Sequence, residues 1–458
     1  MDYSGIISLA IFAATLYFMV KRPFGISLGL AAGIGAALSL IFGTVSLADA
    51  FKALVDIWDA ALAFIGIVLF SVTLDAMGFF RWAAIKVIRM AGGSGLRLYF
   101  YISLLTACVS ILFANDSAIL ILTPIVLEII SQLKMNYDQR LAYLFSAGLI
   151  ADTAAMPLIT SNPVNIVSAD YFRYTFIDHA IFMGPIAAAT VVSSLLIVYA
   201  FFRRRIPKHY SVDSVEQLNT AGLMIAPVLL KISLATLVAI NVGYIAASLS
   251  RIPVSIVICS GALFLLSVYA LSLSRIRSSR RTQEFKQLAK EVNWDIILFM
   301  TSIFLVVQGL RRVGVLDFFA GLFSKALSFP CFLSVFTSSM IVTMGASIMN
   351  NWPMTILGLL TIKHVTNSGL DSKGFTRLVF SNIIGNNLGP HFFPLGSLAI
   401  IMWIETMRRK GVTIRLKDYL RVGSILSILE VMVASMILWL EVDFLNMSLN
   451  IQPEILEH

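Results

Sequence analysis

The dipeptide Asn115-Asp116 stands inside FANDSAILILTP, residues 113–124, with long apolar sequence on both sides, and Asn350-Asn351 interrupts an equally apolar stretch 235 positions later. A polar break at bilayer depth is costly unless it lines a cavity enclosed by protein. Paired breaks in corresponding places of two halves are what a transporter's substrate site looks like in sequence. Two further segments are broken in the same manner, ADTAAMPLITSNPVNI at 151–166 and IGNNLGPHFFPLGS at 384–397. Each of the four offers short polar side chains of the kind that cap helix ends. Pro157, Pro163, Pro390 and Pro394 stop a helix from continuing, and Gly385, Gly389 and Gly396 permit unusual backbone shapes. Half-helix ends would then point their dipoles into a shared space. The candidate hydrogen-bonding set is Asn115, Ser117, Thr153, Asn162, Asn350, Asn351, Asn386, Asn387 and Ser397. Any of these could serve as a cap alone, but an Asn cap keeps spare donors and acceptors, so capping and substrate contact are compatible.

Asp116 and Asp152 are different because they are carboxyl groups within apolar segments, opposite the neutral Asn351 and Asn387 in the second half. A carboxyl group taken out of water holds a proton more readily, which suits proton uptake and release. They are the candidate proton-coupling residues. His391, beside Pro390, could gate or relay protons near neutral pH, but reads first as a hydrogen-bonded structural residue, and Glu405 and Glu430 as partners of nearby basic groups.

These residues must be held by a membrane protein. The 458 residues are 58% hydrophobic and only 13% charged, and the mean hydropathy is +0.88. A soluble domain is nearer 25% charged. Spans of roughly 20 residues are needed to cross the bilayer core. Such spans are expected at 3–20, 24–46, 60–80, 180–202, 223–249, 254–274, 294–310 and 422–442, with interrupted spans at 141–170 and 376–407. The apolar arms 98–133 and 331–365 flank the two Asn pairs. If both are re-entrant hairpins, 24 of the 34 Lys and Arg fall on one side, in short loops, which makes that side cytoplasmic. The net charge of +9 is therefore a topology signal and not a nucleic-acid footprint. The expected fold class is an all-α polytopic membrane protein of about ten spans, two hairpins and two broken helices. It is arranged as two inverted repeats, 1–208 and 223–458, joined by a cytoplasmic linker at 209–222. A constant offset of 235 sets Asn115 against Asn350, Asp152 against Asn387 and Asn162 against Ser397. The N-terminal MDYSG lacks the basic stretch of a cleavable signal and reads as the start of a retained helix. Cys108, Cys259 and Cys331 form no metal-binding spacing, and Cys108 and Cys331 read as packing residues.

FANDSAILILTPIV, IADTAAMPLITSNPVNIVSADYF, GASIMNNWPM and NNLGPHFFPLGSLAIIMW resemble, in this order along the whole chain, the signatures of the ArsB family of arsenite and antimonite exporters. The resemblance implies a multi-pass protein of the cell inner membrane with its substrate site between two inverted repeats. It implies export of trivalent metalloid hydroxides in exchange for protons, no cofactor, and in some members a cytoplasmic arsenite-stimulated ATPase subunit as partner. Arsenite near neutral pH is mostly a neutral trihydroxide, which a ring of amides, hydroxyls and carbonyls can bind without fixed charge. Thiolates would hold As(III) too tightly for release, and none of the four breaks contains Cys.

Two other classes compete. A sodium/proton antiporter or other anion transporter of the same superfamily shares the paired breaks, although a carboxylate carrier should show Ser-Asn-Thr at each tip. A membrane-embedded enzyme would need a nucleophile with its base, a catalytic Asp pair or His-rich metal ligands. The chain has five His and neither HExxH nor GxSxG.

Overall fold

In the computed structural model the described residues are 3–115, 118–133, 135–210, 225–250, 252–273 and 294–450, apart from the side chains of 53, 56, 57, 296, 312 and 313. The expected linker 209–222 thus lies almost wholly outside the described residues. Among the described residues every regular element is helical, and Ser94 and His209 form one isolated bridge. Eight described helices are long and apolar enough to cross a membrane, and shorter apolar helices accompany them.

The first half comprises α1 (Tyr3–Lys21), α2 (Leu28–Ile41), α3 (Leu47–Ala76), α4 (Phe79–Met90), α5 (Gly95–Phe113), α6 (Thr123–Gln132), α7 (Tyr137–Thr153), α8 (Pro163–Phe172) and α9 (Phe176–Phe202). The second comprises α10 (Pro227–Ser250), α11 (Val254–Leu273), α12 (Asp295–Gln308), α13 (Val315–Leu327), α14 (Phe332–Met349), α15 (Asn351–Asn367), α16 (Ser372–Phe392), α17 (Leu398–Arg409) and α18 (Leu416–Trp439). The element order of the second half repeats the first, helix for helix. α5 and α6, and likewise α14 and α15, flank the two Asn pairs; α7/α8 and α16/α17 are the broken helices.

Local signals account for most boundaries. Asn136 and Gln139 form a capping box that starts α7, and Thr175 and Asp178 form one that starts α9. Gly78 and Gly314 sit in the left-handed region at φ 86° and 74° and turn the chain into α4 and α13, a conformation glycine adopts without steric cost. α4 and α13 are additions to the sequence-based reading, which took 81–97 as a basic loop and assigned no element to 315–327. In α4, Phe80, Ala84 and Ile88 are buried at four-residue spacing while Arg81 and Arg89 point elsewhere, so a short amphipathic helix was encoded. α3 also begins at Leu47, well before the expected residue 60, because Ser46 and Asp49 cap it.

The halves are interlocked. α2 packs along α12 of the other half, and α3 packs along α11. Asp295 on α12 caps the start of α2, accepting hydrogen bonds from the Ser27 hydroxyl and from Gly29 N–H at 2.8 Å. In the same manner Asp59 on α3 accepts the Ser255 N–H at the start of α11, at 3.2 Å. Each half thus supplies the carboxylate that satisfies orphan N–H groups of the other. A Cβ at Gly29 would come within 2.4 Å of the Asp295 carbonyl oxygen, so the two helices meet backbone to backbone there. Asp295→Ala should therefore lower the melting temperature of the detergent-solubilised protein, by roughly 0.5–2 kcal/mol as for other lost N-caps. A thermal unfolding curve matching the unsubstituted protein would show that the cross-cap carries no stability.

Candidate functional site

The two hairpin tips share one backbone shape. α5 ends at Ala114 with φ 69° and ψ 154°, and α14 ends at Asn350 with φ 79° and ψ 151°. This region is essentially reserved for glycine, and a non-glycine residue there costs on the order of 1–3 kcal/mol. The same strain at both tips is a repeated feature of the fold. It also corrects the register: by backbone geometry Asn350 is the counterpart of Ala114, so Asn351 and not Asn350 corresponds to Asn115. The shift is one residue from the constant offset expected.

At the broken helices the original register holds. Leu158 is extended, Ile159–Ser161 form one tight turn, and Asn162 is extended at φ −149°; Phe393, Pro394–Gly396 and Ser397 repeat this, with Ser397 at φ −134°. Asn162 caps α8 through Val164 N–H at 3.1 Å, with Pro163 at its first position. Ser397 caps α17 through Ile400 N–H at 3.4 Å. The halves differ in one respect. α7 stops at Thr153, whereas α16 runs through Pro390 to Phe392. Pro390 therefore does not end its helix, contrary to expectation; the stop is set at Pro394. The carbonyls at this end are satisfied by hydroxyls of α18 and α14. Tyr419 donates to Pro390 O at 2.9 Å, Ser424 to Phe392 O at 3.2 Å, Ser427 to Leu388 O at 2.9 Å, and Ser347 to Gly389 O at 2.7 Å.

The four breaks converge on a small cavity of about 30 Å³. Its polar wall is Asn115 and Asn351 from the tips and Asn162 and Ser397 from the broken helices. Phe64, Leu120, Trp352 and Met402 contribute to the apolar wall, and among the described residues no charged side chain lines it. The remaining candidates stand at one remove or elsewhere. Asp152 accepts a hydrogen bond from Asn115 Nδ2 at 2.8 Å. Asn387 accepts from Asn162 Nδ2 at 2.8 Å and donates to Asn165 Oδ1 at 3.0 Å. Asn386 bonds within its own helix to Asn382. Asn350 donates to Leu395 O at 3.0 Å, caps Trp352 N–H and lines a separate small cleft between α1 and the second break. Asp116 and Ser117 lie outside the described residues.

Behind Asp152 lies a cluster that sequence reasoning underrated. Glu430 of α18 is fully buried and joins His391 Nδ1 through Oε2 at 2.7 Å. Its Oε1 accepts from Thr153 at 2.6 Å and from Ser194 of α9. Glu430 was expected to pair with a basic residue; it pairs with an imidazole and two hydroxyls instead. The available signal was the spacing of Tyr419, Ser427 and Glu430, which puts three polar groups on one helix face. Thr153, assigned to substrate, is spent on Glu430. Glu405 does pair with a basic neighbour, Arg409, at 2.6 Å. Cys108 and Cys331 are exposed on the outside of the bundle and are not packing residues of the core.

Residues 7–441 match the ArsB family, described as arsenical pump membrane protein. The arsenical pump membrane protein of Escherichia coli (strain K12) is 34% identical over 439 residues, covering 95% of this chain and 98% of that protein. The protein of the same name from Yersinia enterocolitica is 34% identical over 423 residues, covering 92% and 95%. The crystal structure of the YdaH transporter of Alcanivorax borkumensis, described as having an unusual topology, superposes with a TM-score of 0.58 over 97% of this chain and 99% of that one, at 14% identity. That likeness is one of fold.

The strained tip gives a direct test. Ala114→Gly removes the Cβ from a backbone shape that tolerates none, while adding some entropy to the unfolded chain. The variant should melt higher, by a net of about 1 kcal/mol. A lower melting temperature would mean that Ala114 is not strained.

Proposed function

The chain belongs to the ArsB family of arsenical pump membrane proteins, and from that premise we propose that it exports arsenite and antimonite, as neutral trihydroxides, across the cell inner membrane in exchange for protons. The observation that carries the reading is the cavity itself. Its described polar wall is amide and hydroxyl, drawn from both halves, with no charged side chain among the described residues. A trihydroxide presents three O–H donors and oxygen lone pairs on a soft atom. Asn115, Asn162, Asn351 and Ser397 can answer both kinds of group. A neutral solute suits these amide and hydroxyl groups, since they offer hydrogen bonds to its hydroxyls without needing a charge to balance.

At about 30 Å³ the cavity holds little more than one water-sized group. A solute of four heavy atoms requires the wall to part. The wall is divided between α5–α8 and α14–α17, so movement of one half's elements against the other's both enlarges the site and exposes it to one side. That is alternating access around a fixed midplane site. The basic loops are placed in the cytoplasm and the two halves inverted in the membrane, with 1–208 and 223–458 as the repeats. Asp116 and Asp152 are the proton-coupling carboxyl groups of this reading, and a cytoplasmic ATPase subunit is its candidate partner.

Two measurements test it. Everted membrane vesicles should concentrate arsenite when a pH gradient is imposed and lose it when a protonophore is added. Asn351→Leu should cut that uptake tenfold or more at equal expression, since a wall group that cannot bond the hydroxyl costs about 1–3 kcal/mol. Uptake driven by a sodium gradient alone, or undiminished in the variant, contradicts the proposal. For orientation, Asp138→Cys and Asp371→Cys, each in a background lacking the native cysteines, should label from the cytoplasmic and periplasmic faces respectively. Labelling of both from one face would overturn the inverted arrangement.

A further inference from the structure

Proton exchange needs a group that is charged in one state and neutral in the other, and it needs substrate and proton to exclude each other. Asp152 meets the second condition through Asn115. The Asn115 amide donates from Nδ2 to Asp152 Oδ1 at 2.8 Å, while its Oδ1 has no protein partner and the side chain lines the cavity. With Asp152 ionised, the amide is held so that an acceptor oxygen, unpartnered among the described residues, is left for a metalloid hydroxyl. With Asp152 protonated, the carboxyl O–H becomes a donor, and its best acceptor is that same oxygen. The amide is then turned or occupied, and the substrate loses its acceptor.

Asp152 does not act in isolation. Its second oxygen, Oδ2, is buried without a partner among the described residues, and the His391 ring lies against the Leu149 carbonyl on the side away from Glu430. Electrostatically it faces His391 and Glu430, which are themselves joined at 2.7 Å. From the packed elements, the groups that face this trio are Thr153 of α7, Ser194 of α9 and Tyr419 of α18, besides Asn115. Of these only Tyr419 titrates, and its hydroxyl is committed to Pro390 O. The buried residues described include no Lys or Arg, so within the described cluster the counter-charge to the two carboxyl groups is protons. Among the described residues no group of His, Cys, Asp and Glu is arranged to hold a metal ion.

The charge count then has two relevant values. With one proton the trio carries −1, and with two it is neutral. A net charge sealed in an apolar interior is strongly disfavoured, so the closed cluster keeps both protons. Opening to water or binding of a metalloid at Asn115 permits one to leave.

We propose that Asp152, His391 and Glu430 form a single proton-holding unit shared by the two halves, which surrenders one proton as a metalloid hydroxide engages Asn115. Asp152 comes from the first broken helix and His391 and Glu430 from the second half, so the unit registers how the halves are apposed. His391 reaches it because α16 continues past Pro390, the one place where the second break departs from the first. The inference rests on the antiport reading and names its proton carriers.

The test is a proton count on the purified full-length protein in weak buffer, titrated with arsenite. The native protein should release about one proton per arsenite bound, with a defined pH midpoint. His391→Gln keeps a donor toward Glu430 but cannot titrate, and leaves the two carboxyl groups without an imidazole between them. Its midpoint should move up by about one pH unit or more, as removal of a near opposite charge predicts. Infrared difference spectra of the native protein on arsenite addition provide a second measurement that needs no variant to fold. A protonated-carboxyl band should disappear together with a change in imidazole bands, the latter absent in His391→Gln. Binding with no proton released by the native protein removes the antiport reading and this unit with it. Release by the native protein with an unmoved midpoint in His391→Gln, or with imidazole bands unchanged, overturns the shared unit alone and leaves Asp152 as a solitary carrier.

Discussion

Everything at the centre of this protein follows from one constraint, that a backbone broken inside an apolar layer must find new partners for the groups it frees. The breaks here meet it with capping side chains of their own and, at the end of α16, with hydroxyls of neighbouring helices. Asn162 and Ser397 cap the returning half-helices, and Asn350 caps its own and also donates to Leu395 O. The end of α16 is served by Tyr419, Ser424 and Ser427, all on α18. At Gly423, between them, a Cβ would lie 2.2 Å from His391 O, so α18 is pressed against the unwound end. Asn162 and Ser397 thus serve twice, capping a returning half-helix and walling the cavity.

Much of this was legible in sequence because the bilayer simplifies the code. Long apolar runs can only be helices, so Asn115, Asn162, Asn351 and Ser397 stood out as interruptions, and all four reach one cavity. What could not be read was anything that depends on a single-residue register or on side-chain direction. Asn350 and Asn351 are adjacent and chemically identical, yet one faces the cavity and the other a cleft beside α1. A positive φ at Ala114 and Asn350 decides this, and alanine gives no hint of it. Glu430 was overlooked because a lone carboxyl group in an apolar run suggests a basic partner, and its actual partners lie 39, 236 and 277 residues away. α4 was missed because its positive charge was read as loop, and α13 because thirteen residues are too few for a membrane span.

The two halves share architecture but divide the chemistry. At matching positions of the broken helices the first half carries Asp152 and the second Asn387. The amide knits Asn162 and Asn165 of the first half to α16, whereas the carboxyl group is left with one oxygen unpartnered. One side of the pseudo-symmetric site is thus fastened and the other is available to change state. The longer α16 adds to the asymmetry by bringing His391 across to the carboxyl side.

The cross-capping by Asp59 and Asp295 has a bearing on ancestry. In a single repeat on its own, the start of α2 would lack its carboxylate and the apolar flank of α3 its neighbour, because both are supplied by the other copy. A progenitor gene encoding one repeat of this design would therefore have had no stable solitary product. Its folded form would have been an intertwined pair of identical subunits, each completing the other. Fusion of the two genes then made the pairing intramolecular, and only afterwards could the copies drift apart in charge, since an identical pair must place the same residue on both sides of its axis.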